Sequence, residues 1–343
     1  MKTIITNEWN HYLDYFTKND KDIYFTEEYV KLYENDIDKA LCIVCRSDDK
    51  VTIMPFLRRK IYGFYDFETP YGYGGPITNL HSSDWIEKSL NDMKNCFIDN
   101  NYLCGFIRFH PILNNAVCCN NYMDVLFDRK TISIDLDCSI DEIWSSQINS
   151  KNRNMIRKAE KNGLAFRAEY DYSSIDDFKK IYNKTMNRLE ADEFYYFNNK
   201  YYDMYVKGLL NHGFLGIVSL NNKVIAAALF MIDGEYGHYH LAGSDKEFSS
   251  YGSNNFMIWN AIKEMKMNGI KKLHLGGGTT GSSEDTLYKF KKSFNKADNE
   301  FYIGKIIFKE EEYLSICKKW GNKYPNLVNK YGGRLLKYRY KGE

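Results

Sequence analysis

Residues 213–243, with the sequence GFLGIVSL-NN-KVIAAALFMI-DG-EYGHYHLAG, carry the most regular pattern in this chain of 343 residues. Three apolar runs are separated by the pairs Asn221-Asn222 and Asp233-Gly234. Asn, Asp and Gly tolerate the positive φ angles that two-residue hairpin turns require. The stretch therefore predicts a meander of three antiparallel strands, at 213–220, 223–232 and 235–243.

A polar loop at 249–253, SSYGS, follows the third strand and leads into a helically spaced apolar segment at 254–267. The first N–H groups of a helix have no partner within the helix, and the helix dipole is positive at that end. Such an end binds phosphate groups readily. We therefore predict that Ser253, Asn254 and Asn255 bind the phosphate groups of a donor substrate.

The glycine-rich loop at 276–281, GGGTTG, has two interpretations. It lies between a predicted strand and a predicted helix, and it matches the G-x-G-x-x-G pattern of dinucleotide-binding folds. That pattern normally opens a series of parallel strands, whereas only one more strand and a basic segment follow here; Ser282 also replaces the lysine of a P-loop. We favour a wall of the donor pocket formed by Gly276, Gly277 and Gly278, and keep a nucleotide-dependent oxidoreductase as an alternative.

Short motifs in both halves of the chain share their order with a known enzyme family. In the second half they are KNRNMIRKAEKNG (151–163), HYHLAGS (238–244), WNAI (259–262), LHLGGG (273–278) and LYKFKKSF (287–294), and in the first half YGYGGP (71–76) and FIRFHP (106–111). In these motifs the chain resembles the Fem family. Its members are the tandem-GNAT aminoacyltransferases that build peptidoglycan cross-bridges, together with related GNAT-like acyltransferases of envelope polysaccharide loci.

The resemblance implies an α/β (α+β) fold of two tandem GNAT-like domains, each a mixed, largely antiparallel sheet flanked by helices. The predicted elements follow a similar order in the two halves, and a chain of this length holds roughly two domains. We place an N-terminal GNAT-like domain at 1–137 and the acyltransferase domain at 138–308. A basic C-terminal helix or tail at 309–343 is expected to pack back on the first domain.

The resemblance also implies transfer of an acyl or aminoacyl group to a primary amine. The donor is then acyl-CoA or aminoacyl-tRNA, used as a co-substrate, with no tightly bound cofactor. The acceptor is expected to be a small-molecule, nucleotide-linked or lipid-linked amine of a cell-envelope precursor, such as a peptidoglycan peptide or an amino-sugar nucleotide. tRNA and the inner face of the membrane are further expected partners, whereas DNA and a metal ion are not expected.

Three residues are predicted to be catalytic. By motif, Lys291 corresponds to the lysine that the family places near the reacting carbonyl, where one donor to the forming oxyanion is worth about 3 kcal/mol. His238 and His240 lie two residues apart on the third meander strand, so a regular strand directs both side chains to the same face. We name the two histidines as candidates for proton transfer.

Substrate-binding residues are predicted to line a cleft between the two halves. Arginine and tyrosine side chains suit a pyrophosphate-linked sugar because they donate hydrogen bonds to its oxygens. The candidates are Tyr71, Tyr73, Arg108, His110, Arg153, Arg157 and Tyr196.

Composition and charge leave a second function class open. The net charge is only +2, but residues 318–341 carry eight Lys and Arg without an acidic residue between them. A basic surface of this kind binds phosphate-rich partners, so a non-catalytic RNA- or precursor-binding protein of the same fold is the main alternative. The N-terminal residues lack a signal-peptide pattern, and the eight cysteines lack the spacing of a disulfide or zinc framework. We therefore expect a cytoplasmic protein.

Overall fold

The computed structural model describes residues 1–342, which form a mixed α/β protein. Its strands are β1 (Lys2–Thr6), β2 (Asp38–Ser47), β3 (Lys50–Ile61), β4 (Phe64–Glu68), β5 (Ile77–Thr78), β6 (Tyr102–Arg108), β7 (Asp124–Asp135), β8 (Ala165–Glu169), β9 (Gly213–Leu220), β10 (Lys223–Asp233), β11 (Tyr236–Ser244), β12 (Lys272–Gly277) and β13 (Asp298–Ile307). Its α-helices are α1 (Glu27–Lys31), α2 (Ser83–Asp99), α3 (Ile140–Glu142), α4 (Ser150–Lys161), α5 (Ile175–Arg188), α6 (Asn199–Gly208), α7 (Ser253–Met267), α8 (Thr286–Lys292), α9 (Glu310–Lys323) and α10 (Pro325–Tyr331). None of the helices described is long and apolar enough to cross a membrane.

The chain divides into two compact units. The first unit consists of residues 1–20, 24–128 and 301–343, and the second consists of residues 21–23 and 129–300. The first unit is therefore assembled from both ends of the chain. The second unit is almost continuous in sequence.

The sheet of the first unit has the strand order β1-β2-β3-β4-β6-β13, with β5 paired to β3. All of its pairs are antiparallel except β4 with β6. One face is covered by α2, whose Trp85, Met93 and Phe97 are buried in a core with Phe56 and Phe67. The buried apolar residues of α2 recur at helical spacing because they all lie on the side of the helix that packs against this sheet.

The C-terminal segment adds a second core to the first unit. Tyr313 and Trp320 of α9 pack with Leu103 and Cys104 of β6, and Tyr338 joins them with no exposed surface. The Trp320 indole nitrogen donates to the main-chain oxygen of Tyr340 at 2.7 Å. Much of the basic segment at 318–341 is therefore folded, with aromatic rings buried between its charged residues.

The sheet of the second unit has the strand order β7-β12-β11-β10-β9-β8. Only β11 and β12 run parallel, and the other pairs are antiparallel. The dinucleotide-binding alternative is therefore wrong, because that fold needs a mostly parallel sheet. The predicted α/β fold, with a largely antiparallel sheet flanked by helices, is confirmed.

The three-stranded meander has the predicted strands β9, β10 and β11. Both turn residues Asn221 and Asn222 have positive φ, at 49° and 64°, and Gly234 has φ of 58°. Both faces of β9 and β10 are buried, at Phe214–Val218 and at Ile225–Met231. The helix that follows is also present, with α7 beginning one residue before the predicted start.

Residues 140–162 have apolar residues at helical spacing and a basic middle, which predicts one helix, but the structure breaks it into two. A π-helical turn at Ile143–Gln147 and an extended residue, Ile148, separate α3 from α4. Arg153 holds this break, because one guanidinium nitrogen donates to the main-chain oxygens of Trp144 (3.1 Å), Ser145 (3.1 Å) and Ile148 (2.6 Å). The guanidinium group of Arg153 therefore supplies hydrogen-bond donors to carbonyl groups that have no partner at the end of the helix.

Candidate active site

The parallel strands β11 and β12 separate after three residue pairs. They pair from Tyr236 with Lys272 to His238 with His274. Beyond that point β11 continues to Ser244 beside β10, and β12 continues to Gly277 beside β7. We call the diverging segments, residues 239–244 and 275–277, the notch. Each segment keeps its ladder with the outer neighbour, whereas the two segments no longer pair with each other.

Each strand of the notch contains a β-bulge. On β11, Leu241 faces Leu229 and Tyr239 faces Phe230, so His240 is the extra residue. On β12, His274 faces Ser133 and Gly276 faces Ile132, and Gly276 has φ of 76°. Bulges bend a strand and redirect its side chains, and they are frequent beside active sites.

Lys291 on α8 reaches the end of β12. Its side chain is 8% exposed, and Nζ donates to the main-chain oxygen of Gly277 at 2.8 Å. Burial lowers the pKa of Lys291 to about 8, although the Asp285 charge opposes this change. An ammonium group held at the notch, with two further N–H donors, can stabilise an oxyanion.

Asp285 organises the loop between β12 and α8. Its Oδ2 accepts hydrogen bonds from the Thr279 N–H (3.0 Å), the Thr279 hydroxyl (2.6 Å) and the Thr280 N–H (3.0 Å), and its Oδ1 caps α8 at the Tyr288 N–H (2.9 Å). Burial opposes ionisation, but these hydrogen bonds hold the pKa of Asp285 well below its usual range. A Cβ on Gly278 would lie 2.4 Å from Oδ1, so only glycine fits there.

Asp285→Asn is expected to destabilise the second unit by about 1–3 kcal/mol at pH 7, because an amide NH₂ cannot accept the two threonine N–H groups. The pKa of Asp285 is lower in the folded chain than in the unfolded chain. The contribution of Asp285 is therefore present above about pH 4 and is lost as pH falls through the folded pKa. Thermal unfolding at pH 7 and pH 3 measures both effects. Equal stability of the two proteins at pH 7 would contradict this account.

His240 lies at the bulge and contacts α6. Its Nε2 and the Tyr201 hydroxyl are 2.9 Å apart, and its ring stacks on Tyr205 at 6.0 Å. Burial, with a smaller effect of His238, lowers the pKa of His240 to about 3. The ring is therefore neutral at physiological pH and is a weak base.

His238 has different surroundings from His240. It is 1% exposed, and its Nε2 lies 2.8 Å from the Asp22 carboxylate, which is fully buried. Its ring meets that of His274 edge-on at 5.7 Å. The regular alternation assumed from the sequence ends at this point, because the bulge at His240 intervenes.

The first turn of α7 lies next to the end of β11. The N-cap is Gly252 with φ of 77°, which has no side chain to cap the helix. Ser253 is 2% exposed, Asn254 donates to the Ser244 hydroxyl at 3.3 Å, and Asn255 donates to Asn152 at 2.8 Å. The two amide side chains are used in packing, so the donors left for a phosphate are the main-chain N–H groups of this turn.

Helix α5 packs against the same end of β11 as α7 does. The Thr185 hydroxyl accepts from the Ser244 N–H at 3.0 Å, and Arg188 donates to the Ser244 oxygen at 3.0 Å. A Cβ on Gly243 would lie 2.7 Å from the Tyr182 backbone. The close approach of this helix therefore requires glycine at that position.

In the first unit the parallel strands β4 and β6 stay paired to the end of β4, whereas β11 and β12 of the second unit separate. β4 and β6 pair through Glu68 and Phe106, and the Thr69 N–H continues the ladder to the Phe106 oxygen at 3.0 Å. Arg108 donates to the Thr69 oxygen at 2.6 Å and to Glu68 at 3.1 Å. The predicted substrate residue Arg108 thus joins the two strands, and only the second unit has a notch.

The other predicted substrate residues of the first unit form an aromatic cluster. Tyr73 lies 5.2 Å from Tyr24 and 5.6 Å from His110, measured between ring centroids. His110 is fully buried, and its Nδ1 accepts from the Leu113 N–H at 3.1 Å. The main-chain oxygen of Tyr71 accepts from the Tyr29 hydroxyl at 2.6 Å. The loop and the end of β6 therefore form one aromatic cluster, and the role of these residues in substrate binding stays a prediction.

In the second unit the remaining two candidates are exposed. The Arg157 guanidinium lies 5.3 Å from the Trp144 ring centroid, and Arg157 donates to Asn154 at 3.3 Å. The Tyr196 hydroxyl donates to Asn187 at 2.9 Å. Their roles in substrate binding stay predictions.

Sequence reasoning missed two residues at this site. Asp285 is the partner that requires glycine at the predicted position Gly278, and an aspartate just before a helical run is a recognisable N-cap signal. Tyr201 belongs to a tyrosine-rich helix, and nothing in its local pattern indicates that it contacts His240.

Comparisons with known proteins agree with this geometry. Residues 149–292 match a family model described as an acetyltransferase (GNAT) domain. A search of curated protein sequences gives no significant match. Among solved structures, FemX is similar with a TM-score of 0.71 and 15% identity, over 92% of this chain and 100% of FemX.

Two further structures cover most of the chain. The C-terminal domain of a putative lysylphosphatidylglycerol synthetase from Agrobacterium fabrum has a TM-score of 0.59 and 12% identity, over 87% of this chain and 92% of that one. A tandem GNAT protein from the clavulanic acid biosynthesis pathway has a TM-score of 0.51 and 7% identity, over 89% and 98%. Residues 149–292 are therefore similar to a GNAT domain, and the chain as a whole has the fold of the Fem-like, tandem-GNAT acyltransferases.

Proposed function

We propose that this protein is an N-acyltransferase whose reaction takes place at the notch of the second unit. The observation that carries the proposal is the position of Lys291, a buried ammonium group at the end of two parallel strands that have separated. A buried cation is costly, and burial lowers its pKa, so its retention at this position favours a chemical role.

The proposed reaction needs few catalytic groups. The neutral amine of the acceptor attacks the carbonyl carbon of a thioester or ester, and the carbonyl oxygen becomes negative. Lys291 donates a hydrogen bond to that oxygen, the C–N bond forms, and the bond to sulfur or oxygen breaks; the proton lost by the amine passes through solvent to the leaving thiolate or alkoxide. Alignment of the two substrates supplies much of the remaining rate enhancement.

The donor is proposed to be acyl-CoA or aminoacyl-tRNA. The uncapped first turn of α7 favours a phosphate-bearing donor of either kind. The fold of FemX and of the lysylphosphatidylglycerol synthetase domain supports an amine of a cell-envelope precursor as the acceptor. Peptidoglycan peptides and amino-sugar nucleotides are the acceptors to test first.

The decisive experiment offers acetyl-CoA, longer acyl-CoAs and charged tRNA separately, each with amino-sugar nucleotides and peptidoglycan precursors. Mass spectrometry of the acceptor measures the transfer. We expect transfer from one donor class, lost in a Lys291→Met variant. Binding of precursor or RNA with no transfer from any donor would support the non-catalytic alternative instead.

His240→Gln is expected to keep turnover within about tenfold of the original protein, because a neutral ring with a pKa of about 3 contributes packing and one hydrogen bond. For the same reason the rate profile should show no ionisation of this residue between pH 5 and 8. Initial rates across that range provide the measurement. A loss of several hundredfold would instead make His240 a proton-transfer group.

A further inference from the structure

A polar groove of about 490 Å³ lies in the first unit, where β1 ends and β4 and β6 begin. This is the opposite end of β6 from Arg108 and its contacts with Thr69. Its polar lining includes Asn7, Glu34, Lys39, Arg58, Tyr65 and Tyr102. The volume is within the range of small-molecule sites.

Arg58 is a positively charged residue in the lining of the groove. Its guanidinium lies 4.6 Å from the centroid of the Tyr65 ring. Among residues 1–342 it has no carboxylate within ion-pair distance, whereas the next residue, Arg59, forms hydrogen bonds of 2.7 and 2.6 Å with Asp38. A guanidinium that stacks by its face keeps its N–H edges for a planar oxyanion.

Tyr102 supplies a second, independent observation. Its side chain is 1% exposed. Its ring centroid lies 4.8 Å from that of Phe97 and 5.7 Å from that of Tyr65. In the described part of the chain its buried hydroxyl makes no hydrogen bond of good geometry; Arg58 approaches it but can only donate to the hydroxyl oxygen, so the O–H itself has no acceptor. Such a group costs about 1–3 kcal/mol unless something else satisfies it. Arg58 lies close enough for its charge to act on this hydroxyl.

We propose that this groove binds a small molecule through an oxyanion, a carboxylate or a phosphate group, with Arg58 as the charged anchor and the Tyr102 hydroxyl as a second donor. The Arg58 side chain has enough rotamer freedom to admit the ligand oxygen beside the hydroxyl. Lys39 adds positive charge, although Glu34 lies 3.7 Å from it. The site is separate from the acyl-transfer chemistry proposed for the second unit.

Isothermal titration calorimetry of the full chain with sodium phosphate and with sodium succinate tests the proposal, at constant ionic strength set by sodium chloride. We expect one site per chain for at least one of the two anions. Arg58→Gln should weaken binding at least tenfold. Tyr102→Phe should weaken it about fivefold, which corresponds to one net hydrogen bond. Lys50→Gln, an exposed charge at the other end of β3, is the matched control and should leave binding unchanged.

The two anions distinguish the source of the oxyanion. Binding of phosphate alone indicates a phosphorylated ligand, binding of succinate alone a carboxylate, and binding of both a general oxyanion site; each result supports the proposal. No binding of either anion overturns it. Equal binding by folded Arg58→Gln also overturns it, and thermal unfolding of each variant establishes that it is folded.

Discussion

Lys291→Met is expected to lower the turnover number about 100-fold and, at the same time, to raise the melting temperature. Activity falls because the oxyanion loses its donor. Stability rises because burial lowers the folded pKa of Lys291 to about 8, so folding disfavours its charged form at neutral pH. Methionine fills a similar volume without charge, and the substitution removes one hydrogen bond, the one that Nζ donates to Gly277.

The sign of the stability change follows from proton linkage. Between about pH 8 and pH 10.5 the unfolded chain binds more protons than the folded one, so the free energy of unfolding rises with pH in that window. Below pH 8 the buried charge of Lys291 lowers the free energy of unfolding by roughly 3 kcal/mol, by proton linkage. Lys291→Met removes this cost but also loses one hydrogen bond worth about 1 kcal/mol, so the net gain in stability is the difference between the two. Initial rates and thermal unfolding at pH 7 measure both quantities.

Lys292→Met is the matched control for this experiment. Lys292 is adjacent on α8 but 43% exposed, where it lies 3.5 Å from Asp298 and 3.3 Å from the Tyr288 hydroxyl. Both turnover and stability should change little, since exposed ion pairs contribute less than about 1 kcal/mol. If Lys291→Met kept full turnover and lost stability, Lys291 would be a structural residue and the proposed chemistry would be wrong.

Arg339→Met is expected to destabilise the first unit by about 3–5 kcal/mol. Arg339 is 7% exposed and donates to the fully buried Asp66 at 2.7 and 3.2 Å; it also contacts Glu68. Burial opposes ionisation of Glu68, but Arg108 and Arg339 lower its pKa, so this carboxyl is held charged. Removal of Arg339 would leave buried carboxylate charge without its main partner. Unfolding in urea measures the loss.

Two comparisons separate charge from packing. Arg334→Met removes an arginine that stacks on Tyr331 and Tyr340, at 5.1 and 5.0 Å, and should cost less than about 1 kcal/mol. Adding Asp66→Asn and Glu68→Gln to Arg339→Met should recover most of the stability, because the carboxylates that Arg339 neutralises are then uncharged, and Arg108, which loses Glu68, is 25% exposed. A triple variant as unstable as Arg339→Met would mean that packing of the long side chain accounts for the effect.

Local sequence information was sufficient for the meander and for α7. Paired asparagines at 221–222, with the positive φ they adopt, and the Asp233-Gly234 turn determine where the strands end. The lysine at 291 was found by motif, and the structure shows it buried and bonded to the glycine loop. These features depend on residues that are close in the chain.

Features that depend on distant residues were not predictable. The bulge at His240 arises from register with β10 and has no marker in the local sequence. Arg339 was assigned to a basic surface because Asp66, its partner, lies 273 residues earlier. The contacts of Arg153 with the carbonyl groups of a helix break are likewise hidden from the sequence, because the apolar periodicity continues across the break; its role in substrate binding stays a prediction.

The discontinuous first unit has a consequence for synthesis of the protein. β6 lacks its neighbour β13 until residues 303–307 leave the ribosome, because Ile303 pairs with Arg108 and Ile307 with Cys104. At translation rates of about 5–20 residues per second, the nascent N-terminal half waits on the order of ten seconds or more with that strand edge and the apolar surface of Leu103 uncovered. The second unit can fold during this interval. We therefore expect the second unit to complete its fold before the first, against the usual N-to-C order, as limited proteolysis of stalled nascent chains would show.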